Sequence, residues 1–293
     1  MHPEIRRMFT DSKGARRLSR RWVAGEKLED ALQVVATLNA SGLSATLDHL
    51  GENVNTPKEA RAACDTVLDM LDAIHQRGLD CNVSLKLTQL GLDLSLDMCR
   101  QHLCEILSKA AGYGSFVRID MEGSPYTMRT LAMVHEMHRQ FDNIGAVIQA
   151  YLQRSDKDVT ELLAAKIRVR LCKGAYQEPP EIAYQRKQDV DRNFVQLSQE
   201  LLSSGIYHGI ATHDPKMIEA AIDHVRSNNI PASAFEFQML YGIRRDLQKK
   251  LRADGWNVRI YIPWGTHWFG YLTRRLAERP ANLIFLLRNI LRG

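Results

Sequence analysis

One stretch of the chain reads KIRVRLCK (166–173), then DVDRNFVQLSQELLSSG (189–205), then GIATHD (209–214). The two outer runs are short and β-rich, and the run between them carries apolar residues at the spacing of an amphipathic helix. A strand, a helix and a strand in that order form one unit of a parallel sheet, because the helix returns the chain to the edge where the next strand begins.

The same alternation recurs along most of the chain. The other β-rich runs are SATLDHLG (44–51), CNVSLKL (81–87), FVRIDME (116–122), IGAVIQA (144–150), FEFQML (235–240) and VRIYIP (258–263). Helical patterns lie between them, for example PKEARAACDTVLDMLDAIHQRG (57–78). Such units form either an open doubly wound sheet or a closed barrel, and eight in one domain favour the barrel. The sequence therefore predicts an α/β fold, a (β/α)8 TIM barrel.

The first 42 residues have a different pattern from the rest. They include the helical run LEDALQVVATLNA (28–40), with a glycine shortly after it. We therefore predict an N-terminal helical arm over 1–42 and a barrel over 43–293. No Pro-rich, Ser-rich or low-complexity linker interrupts the series, which indicates a single domain overall.

Composition excludes several classes of protein. Of the 293 residues, 45% are hydrophobic and 25% are charged, which is typical of a globular protein. The sequence contains no run of about 18 apolar residues, so it predicts no membrane span. The five cysteines have no zinc spacing and an odd count, which favours a reducing compartment over a disulfide framework. With no apolar leader at the N-terminus, we expect a cytoplasmic protein.

The net charge of +5 is concentrated at the N-terminus. The basic residues there are Arg6, Arg7, Lys13, Arg16, Arg17, Arg20 and Arg21. This arm forms either a solvated helix face or a surface that contacts anionic lipid at the inner membrane. No aromatic platform or known binding motif accompanies the charge, so nucleic acid is not an expected partner.

Polar residues stand at nearly every predicted strand end. They are Asp48, Glu52, Lys86, Asp120, Glu122, Gln149, Arg170, Lys173, Thr212, His213, Gln238 and Tyr261. The active sites of barrel enzymes lie at the carboxyl ends of the strands. The pattern therefore predicts a ligand site at this end of the barrel.

Two local motifs suggest anion binding. In RVRLCKGAY (168–176), a strand ends in basic residues and then Gly and Ala, which lets backbone N–H groups approach an anion; a plain strand-to-helix turn is the alternative. In YLTRRLAE (271–278), Tyr271, Arg274, Arg275 and Glu278 share one helix face. The arginine pair suits a carboxylate, although an exposed salt-bridged face would have the same spacing. Neither a P-loop nor G-x-G-x-x-G is present.

Seven motifs together resemble one enzyme family. In order they are SLKL (84–87), RIDME (118–122), VIQAY (147–151), RVRLCKGAY (168–176), ATHD (211–214), FEFQMLYG (235–242) and RIYIPWGTHWFGYLTRRLAERPANL (259–283). They resemble the proline dehydrogenase family, both the stand-alone bacterial enzymes and the dehydrogenase domain of bifunctional proline utilisation proteins. The most specific element is Y-x-P-x-G followed by Y-L-x-R-R-x-x-E, in combination with R-L-x-K-G-A-Y.

The resemblance implies a distorted barrel that binds FAD non-covalently over the strand ends. It implies oxidation of L-proline to Δ1-pyrroline-5-carboxylate, the first step of proline catabolism to glutamate. Asp120 and Arg170 carry over as catalytic residues, with Arg170 as a fixed cation against the flavin. The expected cofactor contacts are Met121, Gln149, Arg170, Lys173, Gly174, Ala175, Tyr176, Thr212 and His213. Gln177 departs from the family, in which many relatives have Trp, so the packing of the adenine is not defined.

The resemblance also implies a substrate site beside the cofactor. The resemblance places Lys86, Arg274 and Arg275 around the proline carboxylate. A bound anion is consistent with this cluster, because three cations in one site repel each other unless an anion binds. The other expected substrate contacts are Leu240, Tyr261, Tyr271 and Glu278. Glu52 resembles the acid that pairs with the first arginine of the pair, as a gate that closes the site.

The implied partners are a quinone or other membrane electron acceptor and a pyrroline-5-carboxylate dehydrogenase. The basic arm and the apolar segment ANLIFLLRNILRG (281–293) would then offer surfaces for transient membrane contact, or both simply pack on the barrel.

Three other functions fit the sequence less well. A Schiff-base aldolase would use a desolvated lysine such as Lys86 or Lys173, but it leaves the arginine pair and His213 unexplained. A metal-dependent hydrolase needs converging ligands, whereas only His49 and His213 stand at strand ends, so no metal is expected. A non-enzymatic barrel that binds partners would have eroded strand ends, and these are intact.

The variant Arg275→Met tests the predicted carboxylate site. Loss of one charge-assisted hydrogen bond should raise the KM for proline about 10- to 100-fold, with a much smaller effect on FAD affinity. Steady-state kinetics and FAD titration measure the two effects separately. An unchanged proline KM would show that the carboxylate binds elsewhere.

Overall fold

The computed structural model describes residues 20–51, 53–268, 270 and 271. Eight parallel strands close into a barrel in chain order, which confirms the predicted fold class. The strands are β1 (Ser44–His49), β2 (Cys81–Leu85), β3 (Val117–Ile119), β4 (Ile144–Gln149), β5 (Arg168–Cys172), β6 (His208–Ala211), β7 (Phe235–Leu240) and β8 (Val258–Trp264). The helices are α1 (Leu28–Ala40), α2 (Pro57–Gln76), α3 (Leu96–Gly112), α4 (Ser124–His138), α5 (Ser155–Ala164), α6 (Lys187–Ser203), α7 (Pro215–Ser227) and α8 (Arg245–Ala253). Short 3-10 helices span Leu87–Leu90 and Ala232–Ala234.

Alternate residues of each strand face opposite sides of the barrel wall. One set forms the apolar layer between strands and helices: Leu47, Leu85, Ile119, Ile148, Leu171, Phe237 and Ile260. The other set faces inward and is mostly polar. Many barrels fill this space with Val, Ile and Leu. Here the apolar core lies outside the sheet, and the interior is left to charged and hydrogen-bonding groups.

Local sequence signals explain where the helices begin. The Thr56 side chain accepts a hydrogen bond from the Glu59 N–H, and Pro57 occupies the first turn of α2. In the same way, the Asp214 side chain accepts a hydrogen bond from the Lys216 N–H, and Pro215 is the first residue of α7. Such caps satisfy N–H groups that have no partner within the helix, and proline there removes one of them.

The predicted boundaries agree with the structure to within a few residues. The largest differences are at β3, which ends at Ile119 whereas the β-rich run extends to 122, and at β6, which ends at Ala211 whereas its run extends to 214. The side chains of Asp120 and Glu122 are bonded to other strands and loops instead; Glu122 accepts from the Thr88 hydroxyl at 2.6 Å. Of the predicted arm, α1 is described and packs against the barrel core through Ala31, Leu32 and Val35.

All five cysteines are free thiols, and Cys104 and Cys172 are partly exposed. Burial raises the pKa of Cys64, Cys81 and Cys99 to about 12, so these three are not reactive thiolates. Within the described part of the chain, every helix is too short or too polar to cross a bilayer.

The neutral, buried His208 generates a prediction about acid stability. Its Nδ1 accepts from the Val169 N–H at 2.9 Å, and its Nε2 lies 3.0 Å from the Ser204 hydroxyl. Burial, reinforced by the charge of Arg118, lowers the pKa of His208 to about 3. Between pH 7 and pH 5 this histidine therefore becomes protonated in the unfolded chain but stays neutral in the folded protein. The free energy of unfolding consequently decreases as the pH is lowered.

This residue should contribute about 2 kcal/mol to the loss of unfolding free energy between pH 7 and pH 5. His208→Asn, which can still accept from Val169, should lack that contribution. Equilibrium denaturation at the two pH values measures it. The same pH dependence in the variant and the wild type would contradict the prediction.

Candidate active site

A cavity of about 430 Å³ opens at the carboxyl ends of the strands. Every predicted site residue that the structure describes lines it: Lys86, Asp120, Met121, Gln149, Arg170, Lys173, Gly174, Ala175, Tyr176, Thr212, His213, Leu240, Tyr261 and Tyr271. Glu52, Arg274, Arg275 and Glu278 lie outside the described residues. Barrel closure thus brings these residues into one cavity from seven of the eight strands or the loops that follow them, and Asp48 of the remaining strand, β1, lines it too.

The Asp120 carboxylate has four polar partners among the described residues. Its Oδ1 accepts from Arg170 Nη1 at 2.7 Å and from the Ser84 hydroxyl at 2.6 Å, and its Oδ2 accepts from the Tyr261 hydroxyl at 2.7 Å. Lys86 Nζ lies 3.7 Å from Oδ2. Burial opposes ionisation, but the charges of Arg170 and Lys86 and the two hydroxyl donors outweigh it. The pKa of Asp120 therefore lies below its ordinary value.

Asp48 is a second buried carboxylate beside the same lysine. Lys86 Nζ lies 3.3 Å and 3.4 Å from its two oxygens, and Asp48 is only 1% exposed. Burial raises the pKa of Asp48 above its ordinary value; the charge of Lys86 opposes the rise and that of Asp120 adds to it. Lys86 is therefore held between two carboxylates that need its charge.

Tyr261 and Arg170 form one wall of the cavity. The Arg170 guanidinium carbon lies 5.1 Å from the centre of the Tyr261 ring. Burial raises the pKa of Tyr261 well above its ordinary value, and the charges of Asp120 and Asp48 raise it further. The phenol therefore remains protonated and serves as a hydrogen-bond donor to Asp120.

Gly174 brings the backbone close to the cavity after β5. Its φ of 117° lies where side chains are rarely tolerated, and a Cβ there would stand 2.2 Å from the Tyr151 ring. Glycine is therefore required by both conformation and space. The backbone of Gly174 and Ala175 lines the cavity directly.

Lys173 has two carboxylate partners at the cavity rim. Its Nζ forms ion pairs with Asp191 and with Asp214, the latter at 2.9 Å. Lys187 is also paired with Asp191 and lies 3.7 Å from Asp214. The rim therefore carries two lysines and two carboxylates that are in contact with one another.

His213 and Thr212 organise the end of β6. His213 Nε2 accepts from the Leu240 N–H at 2.9 Å, so this nitrogen carries no proton. The Thr212 hydroxyl accepts from the Asp214 N–H at 3.1 Å. Both side chains line the cavity while they connect β6 to the residues that follow and to β7.

Two polar strand residues in the cavity illustrate what the sequence left unassigned. Asp48 and Gln238 were recognised as polar strand ends, but only the structure shows Asp48 against Lys86 and Gln238 against Arg170. Their inward position in otherwise apolar strands was the available signal. Their partners were not visible, because they lie 38 and 68 residues away.

The fold and the cavity together define a (β/α)8 barrel with a charged, enzyme-like site at its mouth. A family model described as "Proline dehydrogenase" matches residues 31–288. Proline dehydrogenase 1 of Bacillus subtilis subsp. natto is 44% identical over 97% of this chain and 94% of its own length. Proline dehydrogenase of Deinococcus radiodurans is 40% identical over 94% of this chain and 91% of its own. This chain belongs to the proline dehydrogenase family.

The solved structures include larger relatives. Proline utilization A (PutA) from Bdellovibrio bacteriovorus, inactivated by N-propargylglycine, aligns with a TM-score of 0.83 at 27% identity. The alignment covers 88% of this chain but 32% of that one. This chain therefore spans about a third of the length of that relative.

The variant Lys86→Met tests the charge balance of the cavity. Without the ammonium group, Asp48 is left facing Asp120 without the lysine charge, whereas Asp120 keeps its ion pair with Arg170. Breaking such a buried pair costs about 3 kcal/mol or more. Because the pKa of Asp48 is already raised, protonation at lower pH relieves the repulsion. The loss of stability should therefore be larger at pH 8 than at pH 5.

Equilibrium denaturation of variant and wild type at both pH values measures this difference. Lys109→Met is a matched control, since it breaks the half-exposed pair of Lys109 with Asp72 on the outside of the barrel. Equal losses for Lys86→Met at pH 5 and pH 8 would mean that Asp48 is not the strained partner.

Proposed function

We propose that this protein oxidises L-proline to Δ1-pyrroline-5-carboxylate with non-covalently bound FAD, as the first step of proline catabolism to glutamate. The observation that carries the proposal is the convergence of Lys86, Asp120 and Arg170 in one cavity at the mouth of the barrel. Family membership supports the reaction, and the cavity supports the cofactor.

The residues present fit FAD in three respects. Gln149 lines the cavity, and its buried Oε1 has no hydrogen-bond partner within the described residues. A buried acceptor of this kind calls for a donor, which a ligand can supply. Gly174 leaves its backbone open to a closely approaching group. Apolar side chains of Met121, Val147 and Leu240 line the same space, as a largely apolar ring system requires.

When bound, FAD would supply the hydride-accepting chemistry for the carbon next to the proline nitrogen. Arg170 would place a fixed positive charge beside the cofactor, held by Asp120. Gln149 and Met121 would contact the ring system. Lys173, Gly174, Ala175, Tyr176, Thr212 and His213 would contact the rest of the cofactor.

The substrate would be fixed by its carboxylate and by the faces of its ring. Lys86 would join Arg274 and Arg275 around the carboxylate. Glu52 would pair with the first arginine to close the site, and Glu278 would hold an arginine or contact the substrate amine. Leu240, Tyr261 and Tyr271 would wall the ring, and Tyr271 is 7% exposed. The substrate nitrogen must be the neutral amine, because its lone pair forms the second bond to carbon as the hydride leaves. Loss of the remaining N–H proton to solvent then gives the C=N bond of the product. Exclusion of water strengthens the grip on the carboxylate.

The proposed partners follow from the same chemistry. Electrons would leave the cofactor for a quinone or another membrane acceptor. The product would pass to a pyrroline-5-carboxylate dehydrogenase, since one more oxidation leads to glutamate. We place the reaction in the cytoplasm, with transient contact to the inner membrane through the basic N-terminal arm.

A Schiff-base aldolase has no support from the geometry. A nucleophilic lysine needs a free amine, whereas Lys86 and Lys173 are each engaged in ion pairs with two carboxylates. We therefore propose no second function for this cavity.

Visible spectroscopy tests the proposal. The purified protein, incubated with FAD and desalted, should be yellow, and L-proline should bleach the flavin absorbance under anaerobic conditions. D-proline is the matched control: with its carboxylate and nitrogen held in the same places, the inverted α-carbon turns the ring, so the reacting C5 methylene no longer lies where that of L-proline lies. Protein that stays colourless, or flavin that L-proline does not bleach, would contradict the proposal.

A further inference from the structure

Glu236 is a buried carboxylate to which the reaction described above assigns no role. It lies on β7, faces the barrel interior and is 5% exposed. Glu236 is not among the described residues that line the cavity at the mouth of the barrel. It lines instead a separate cavity of about 370 Å³ near the amino ends of the strands. Any effect on the active site must therefore pass through another side chain.

That side chain is Gln238, two residues further along the same strand. Its Nε2 donates to Glu236 Oε1 at 2.6 Å, and its Oε1 accepts from Arg170 Nε. A carboxylate can only accept and a guanidinium can only donate. Only one orientation of the amide satisfies both neighbours. Glu236 therefore determines that Gln238 presents an acceptor, not a donor, to Arg170.

Glu236 itself is firmly held. Arg259 Nε lies 2.9 Å from both of its oxygens, and the Tyr207 hydroxyl donates to Oε2 at 3.1 Å. Arg259 Nη1 in turn donates to the Ala45 carbonyl at 2.6 Å. The carboxylate is thus tied to β8 and, through Arg259, to β1.

A glycine in the neighbouring strand makes room for the amide. A Cβ on Gly209 of β6 would stand 2.4 Å from Gln238 Nε2 and 2.7 Å from its Cδ. The backbone of Gly209 is outside the left-handed region, so alanine would be excluded by Gln238 rather than by conformation. The Glu236 carboxylate and the space left by Gly209 therefore both favour the same position of the Gln238 amide.

We propose that Glu236 is a positioning residue for Arg170. Through Gln238 it fixes the Nε side of the guanidinium, while Asp120 holds Nη1 on the other side at 2.7 Å. Because hydrogen bonds hold the guanidinium on both sides, the positive charge of Arg170 has a single defined position in the cavity. The consequence for catalysis rests on the proposed function; the anchoring of Arg170 does not.

Glu236→Gln tests the proposal, because a neutral amide oxygen holds Gln238 Nε2 less firmly than a charged carboxylate does. The Gln238 amide still turns its oxygen to Arg170 but is no longer fixed in place, so the charge of Arg170 stabilises bound reduced cofactor less well. We expect the kcat for proline to fall about tenfold, with KM changed less than twofold. The midpoint potential of bound FAD should fall by about 30 mV, the equivalent of tenfold for a two-electron couple. FAD stoichiometry should be retained.

Gly209→Ala is a second variant that leaves the ion pair of Glu236 with Arg259 intact. It should displace the Gln238 amide and shift the potential in the same direction, so the proposal is still tested if Glu236→Gln fails to fold. Asp158→Asn is the matched control, since buried Asp158 accepts from Arg154 Nε and Nη2 at 2.8 Å each, outside the barrel interior. It should lose stability but keep the potential and kcat.

Wild-type potential and kcat in both Glu236→Gln and Gly209→Ala would overturn the proposal. Failure of the proposed function looks different, because the wild type itself would then bind no FAD or resist bleaching by proline. In that case the Arg170 Nε–H signal in 15N NMR decides the question. It should exchange slowly in the wild type and Asp158→Asn and lose protection in Glu236→Gln; equal protection in all three would overturn the proposal.

Discussion

The structure depends on a balance of buried charges inside the barrel. Asp48 and Asp120 are held against Lys86 and Arg170, and all four side chains are at most about a tenth exposed. Removing one member of such a set leaves an uncompensated charge in a medium that solvates it poorly. The mouth of the barrel is therefore preorganised: its cations are already fixed by carboxylates before any ligand arrives, and a bound anion adds to an existing network.

The position of the apolar core makes this network possible. Because hydrophobic side chains fill the layer between strands and helices, the barrel interior is free to hold polar groups. These groups connect the two ends of the barrel: Asp120 at the mouth is linked through Arg170, Gln238 and Glu236 to Arg259 near the base. Each contact joins an obligatory donor to an obligatory acceptor, so the order of the groups defines one arrangement.

The sequence predicted most of the architecture and much of the site. The run FEFQML coincides with β7, and the helix predicted over 28–40 coincides with α1. The predicted cavity residues that are described all meet at the mouth. What could not be predicted was the pairing. Lys173 was expected to contact the cofactor, and its pairing with Asp191 and Asp214, 18 and 41 residues away, was not predicted. No local pattern encodes a contact at that distance.

By itself, the sequence determined the alternation of strands and helices, because hydrophobic periodicity and capping depend on residues that are close along the chain. It also determined which residue types stand at the strand ends. The tertiary structure decided which charge neutralises which. Tyr261 reaches Asp120 across 141 residues only because β8 closes on β1. The register of that closure depends on the packing of the whole sheet, so the network exists only in the assembled barrel.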